Sequence, residues 1–229
     1  MKRSSAIAAS LGLILIATSA GFGPTPLVFE QDGVRVSSSP IAQPGVCAVS
    51  VDAGALITRE LQSETIRVTF DAGCRPTITR ETQRRVAVSG GSHVASRLNS
   101  SYTVRCRSLN QLWASGGSAG GNLWTEYRTW LEYGVTDGVI TSVYGTGDGA
   151  YTSPWTLYRF TQNFVWITSL SVPTSTIRTD KEGTFYNGPS WDHDKEIDAY
   201  GYGTGNCYSN FWHDGYIWDG VVEFHLEYY

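Results

Sequence analysis

From Trp191 to Asp198 the chain reads Trp-Asp-His-Asp-Lys-Glu-Ile-Asp, which puts acids at Asp192, Asp194, Glu196 and Asp198. On a strand, carboxylates at alternate positions project from one face and repel each other. A hard cation such as calcium wants several carboxylate or carbonyl oxygens and would relieve that repulsion. These acids are therefore the candidate cation ligands, with Ca2+ as the candidate ion. The EF-hand loop opens in a similar way, but it needs glycine where Ile197 stands and a bidentate glutamate where Gly203 stands. In a solvated loop, the competing reading, the same acids would hold nothing.

Aromatic residues crowd the same part of the chain. Every tryptophan except Trp113 lies at Trp124 or beyond. Aromatic faces stack on sugar rings, while Asp, Asn and indole N–H groups fix the hydroxyls. Trp124, Trp130, Trp191, Tyr200, Tyr202 and Trp212 are the stacking candidates. The competing reading is that tryptophans build the core and cover the sheet faces. The function expected on this basis is non-catalytic extracellular recognition, with a polysaccharide or surface glycan as partner.

His193 and His213 each neighbour an aspartate (Asp192, Asp194, Asp214), which defines a rival reading as a secreted hydrolase. No GxSxG or HExxH spacing supports it. A third reading is a structural or effector protein that works through protein contacts alone.

The elements that must position these residues read as strands. Glu64–Phe70 alternates Ile66, Val68 and Phe70 against Arg67 and Thr69. In Asn122–Tyr133, Trp124, Glu126, Arg128 and Trp130 share one face. Asp137-Gly138 marks a hairpin turn, with Val139–Tyr144 returning and Gly145–Gly149 turning again. Trp155–Phe160 and Phe164–Val172 read as a second hairpin around Thr161–Asn163. Tyr216–Tyr229 reads as one long strand with Glu223, His225 and Glu227 on a wet face. The exception is Ala53–Gln62, predicted as a short helix capped by Asp52. Many short strands at turn spacing mean an antiparallel β-sandwich or flattened barrel with a small disulfide-bonded N-terminal portion.

Residues 1–20 have the form of a secretory signal peptide: Lys2 and Arg3, an apolar run from Ala6 to Ala17, then Thr18-Ser19-Ala20. Residues 21–45 read as a flexible linker with one short strand at Val34–Val36. Residues 46–229 read as a single mainly-β domain, with a lobe boundary placed near 89–101, beside the sequon at Asn99. An exported chain with an even number of cysteines points to disulfides. Cys47–Cys74 and Cys106–Cys207 are the favoured pairs. Arginine dominates from Arg59 to Arg107, whereas from Asp180 onward the acids face only Lys181 and Lys195. The arginines do not alternate with aromatics as a nucleic-acid platform would, so no nucleic-acid partner is expected. No segment after the leader is apolar enough to span a bilayer.

Overall fold

The structure is a computed structural model that describes residues 25–84, 101–114, 117–154, 158–187 and 192–229, and within 162–168 the backbone alone. The leader at 1–20, the boundary near 89–100 and Trp191 lie outside the described residues.

Thirteen strands run in chain order: β1 (Leu27–Gln31), β2 (Val34–Pro40), β3 (Val46–Ile57), β4 (Leu61–Phe70), β5 (Pro76–Arg84), β6 (Ser101–Ala114), β7 (Leu123–Thr136), β8 (Val139–Thr152), β9 (Arg159–Ser169), β10 (Thr176–Tyr186), β11 (His193–Tyr202), β12 (Cys207–Trp218) and β13 (Gly220–Tyr228). They form two antiparallel sheets packed face to face. Sheet A has the order β1-β2-β3-β12-β11-β10-β9, and sheet B the order β5-β4-β13-β6-β7-β8. Period-two alternation decides which side chains enter the space between them. Val51, Ala53, Ala55 and Ile57 point in from β3, Ile66 and Val68 from β4, Phe211 and Ile217 from β12, and Val222, Phe224 and Leu226 from β13.

Both expected disulfides form, and each ties one sheet to the other. Cys47 on β3 meets Cys74 in the β4–β5 turn, and Cys106 on β6 meets Cys207 on β12. Closing loops of 27 and 101 residues stabilises the fold by roughly 3.5 and 4.7 kcal/mol in the chain-entropy picture. Among the described residues no helix is long and apolar enough to cross a membrane.

Several local expectations are corrected. Ala53–Gln62 is strand, not helix: β3 runs to Ile57, turns at Thr58–Glu60 and returns as β4. Val51, Ala53, Ala55 and Ile57 bury at every second position while Leu56 faces out, so the period is two. Much of the expected linker forms a hairpin. β1 and β2 join at Asp32 and Gly33, both at positive φ (50° and 73°), the conformation a two-residue type I′ turn demands. Asp137 and Gly138 turn β7 into β8 in the same way (52° and 80°).

Gly145–Gly149 is not a turn but the middle of β8. Thr161–Asn163 is likewise no turn, because β9 pairs with β10 along its length, with register shifts at Asp180/Lys181 and Thr184/Phe185. The predicted C-terminal strand breaks at Asp219 (φ 48°), where the chain passes from β12 in sheet A to β13 in sheet B.

Candidate functional site

The alternation of β11 splits the acidic segment between two environments. His193, Lys195, Ile197 and Ala199 face the core, whereas Asp194, Glu196, Asp198, Tyr200 and Tyr202 face outward, half-buried. β12 does the same, sending Tyr208, Asn210, Trp212 and Asp214 outward. The register then builds rows across the outer face of sheet A. Glu182, Glu196, Trp212, Asp52 and Arg35 form one row, and Asp180, Asp198, Asn210 and Gly54 the next. A third row holds Arg178, Tyr200, Tyr208 and Leu56, and a fourth Thr184, Asp194, Asp214, Ser50 and Ser37.

Trp212 thus sits between two acids from neighbouring strands. It helps line a groove of about 230 Å³ with Asp52, Glu196, Asp198 and Asn210. Asp52 and Asn210 also line a neighbouring groove of about 520 Å³ that reaches Arg35, Arg80 and Tyr208. A third, of about 340 Å³, lies along Asp192, Asp194, Asp214 and Ser37–Ser39.

The face handles its negative charge in two ways. First, Arg178 donates Nε–H to Asp198 Oδ1 at 2.9 Å and Nη2–H to Asp198 Oδ2 at 2.8 Å and Asp180 Oδ2 at 3.3 Å, while its guanidinium lies 5.3 Å from the Tyr200 ring centre. The Tyr200 ring in turn meets Tyr202 (6.5 Å, stacked) and Tyr208 (5.7 Å, tilted). Second, two of the carboxyls take a proton more readily than free acids do. Burial, then the charge of Asp180 and a hydrogen bond with it, pushes Glu196 up to about 7. Burial and the neighbouring Asp198 also raise Asp180, against the pull of Arg178. Among the described residues, no three His, Cys, Asp or Glu side chains converge closely enough to hold a metal ion.

The inner face of the same strands carries a buried hydrogen-bonded chain. Asn110 Nδ2–H donates to the Trp212 carbonyl at 2.7 Å, which turns Asn110 Oδ1 toward His213 Nδ1 at 3.1 Å. His213 Nδ1 therefore carries the proton, and its Nε2 accepts from His193 Nδ1–H at 3.1 Å. His193 Nε2 then accepts the Tyr158 hydroxyl at 2.9 Å. Lys195 Nζ donates to the carbonyls of Asn110 (3.1 Å) and Thr125 (3.0 Å). Burial, then the Lys195 charge, pushes His193 down to about 3, and the same causes hold His213 well below its ordinary value. Burial likewise drops Lys195.

Both histidines are fully buried (0 % exposed). The aspartates next to them in the chain project from the opposite side of the sheet or end the strand. The hydrolase arrangement drawn from His193, His213 and their sequence neighbours is therefore not assembled. What the inner chain does is fix the backbone of β12 at Trp212.

The structure brings together Tyr200, Tyr202, Trp212, Asp194, Glu196 and Asp198, with Asp192 exposed at the start of β11. Trp124 and Trp130 lie on the other sheet, and Trp130 lies across Gly147 of β8, where a Cβ would come within 2.1 Å of its ring. Sequence reasoning missed Asp52, Arg178, Asp180, Tyr208 and Asn210. The alternation Tyr208, Asn210, Trp212, Asp214 in Cys207–Gly215 was the available signal for part of that set. Asp52 was misassigned as a helix cap.

A scan against protein-family models finds no match. Searches of curated proteins and of solved structures also return no match.

Proposed function

We propose that this is a non-catalytic extracellular recognition protein that binds glycan on the outer face of sheet A. One observation carries the reading: Trp212 is flanked across the strands by Glu196 and Asp52, in a groove completed by Asp198 and Asn210. An indole face offers a sugar ring its stacking surface, and carboxylate and amide oxygens beside it accept hydroxyl hydrogen bonds. The two disulfides fit an oxidising, extracellular setting. The groove is shallow, which suits one face of an extended polymer better than an enclosed small molecule.

The test is a titration of tryptophan emission against a panel of soluble polysaccharides, with W212A and W130A in parallel. Binding to at least one glycan is expected. W212A should weaken it by at least tenfold, about 1.4 kcal/mol, and W130A, on the opposite sheet, should leave it unchanged. Silence across the whole panel, or equal losses in the two variants, overturns the reading.

A further inference from the structure

The geometry points to a second binding site, in a cavity of about 490 Å³ at the end of the sandwich where β6 begins and β13 stops, for a carboxylate carried on a sugar ring, a uronate. The site shares no residue with the Trp212 groove and does not depend on the reading of that groove. Arg59, in the β3–β4 turn, supplies its charge. The guanidinium lies 4.4 Å from the centre of the Tyr102 ring, a cation–π contact that holds it over the cavity. Gly205, at φ 83° in the β11–β12 turn, makes that approach possible: a Cβ there would come within 2.9 Å of the Tyr102 hydroxyl and 3.2 Å of Arg59 Cδ. The Tyr228 hydroxyl donates to the Gly205 carbonyl and fixes the turn in place.

What sets Arg59 apart is that no acid answers it. Arg67, Arg75, Arg80, Arg105 and Arg107, from the same arginine-rich stretch, are ion-paired with Glu223, Asp71, Glu64, Glu132 and Glu227 respectively. Arg59 has no acid within 4 Å and no hydrogen-bond acceptor for its side chain among the described residues. Glu60, next to it in the turn, is exposed and does not reach back. The grooves on the outer face of sheet A are all lined by carboxylates, whereas none lines this cavity.

The charge balance selects the ligand. Arg105 also lines the cavity, but Glu132 neutralises it, so the uncompensated charge is that of Arg59 alone. A guanidinium fork meets the two oxygens of a carboxylate with parallel N–H donors. A phosphate monoester brings about two negative charges and would leave one of them unanswered. The ring that carries the acid has a seat as well. Tyr229 is 53 % exposed beside the half-buried Tyr228, and aromatic faces of this kind take the apolar face of a sugar. A glutamate side chain would satisfy Arg59 but leave the tyrosine faces wet.

The experiment compares trigalacturonate with its methyl ester, the same rings without the charge, by isothermal titration calorimetry at pH 7 on the full oxidised chain. R59A, Y229A and W212A run alongside. The acid should bind at least tenfold more tightly than the ester, and added salt should weaken the acid alone. R59A should bring the ratio toward one while keeping the native circular dichroism, because Arg59 is exposed in a turn. Y229A should weaken acid and ester alike, and serves if R59A fails to fold. W212A should change neither. No binding of the acid, equal binding of acid and ester, or an unchanged ratio in a folded R59A overturns the inference. So does a full effect of W212A, which would move the uronate to the other groove. Failure here leaves the Trp212 reading to its own test, since the two sites have no residue in common. A competition arm with triglutamate, which carries carboxylates but no sugar ring, closes the comparison. Displacement of trigalacturonate at equal concentration would make the ligand an acidic peptide and overturn the proposal; failure to displace supports it.

Discussion

Replacing Glu223 by glutamine tests the charge chemistry of the opposite sheet. Glu223 lies on the outer face of β13, where strand alternation alone predicts a solvated acid, yet its side chain is 0 % exposed. The short 3-10 turn Gly117–Ala119 folds over it and donates the Ser118 N–H to Oε1 at 3.0 Å. Arg67 Nε–H reaches the same oxygen at 2.6 Å, and His225 Nε2–H reaches Oε2 at 3.2 Å. Burial alone would raise this acid, but the hydrogen bonds from His225, Arg67 and Ser118 outweigh it and hold the carboxyl at about 2, from an ordinary value of 4.5. At 1.36 kcal/mol per pH unit, that difference corresponds to about 3 kcal/mol favouring the folded state at neutral pH.

The sign follows from linkage. The folded value lies below the unfolded one, so the stabilisation is complete above about pH 4.5 and fades as pH falls toward 2. E223Q should therefore melt about 6–12 °C below the native protein at pH 7, and the gap should shrink steadily from pH 4.5 downward. Differential scanning calorimetry with the disulfides intact measures both. Equal melting at pH 7, or a gap that persists unchanged at pH 2.5, refutes the account of a buried, ionised Glu223.

Acid should also act through the inner chain of hydrogen bonds. His193 and His213 are neutral when folded and take protons readily when unfolded, so stability is lost as pH falls below about 6.5, by up to about 1.4 kcal/mol per pH unit for each histidine. Urea midpoints between pH 7.5 and 5 should show a shallower slope for H193Q/H213Q than for the native chain; parallel slopes would contradict the neutral assignment. G147V should cost about 1–3 kcal/mol, because its branched side chain must evict the Trp130 ring. The expected signs are a lower Tm and a red-shifted emission, and an unchanged Tm would show that the indole does not pack there.

The sandwich was legible because most strands carry a clean period of two with the apolar set on one side: Ile66, Val68 and Phe70 in β4, or Val222, Phe224 and Leu226 in β13. The disulfide pairs followed from which cysteines bracket a local unit. The helix at Ala53–Gln62 was misread because alanine and leucine suit either period, and only the partner strands β2 and β12 settle the choice. Alternation placed Asp194, Glu196 and Asp198 on one face, but it could not say that Trp212 would stand beside Glu196, since register between distant strands is a tertiary property. For the same reason the burial of Glu223 was invisible: the glycine-rich loop that covers it lies about a hundred residues earlier in the chain.

The two sulfur bridges have a consequence for a severed chain. One closes entirely before Arg84 and the other entirely after Ser101, so a single cut between those residues leaves two pieces with no covalent bond between them. The pieces are nonetheless woven together, β3 lying beside β12 in one layer and β4 beside β13 in the other. A clipped molecule would behave as an obligate heterodimer encoded by a single gene, intact when concentrated and falling apart on dilution.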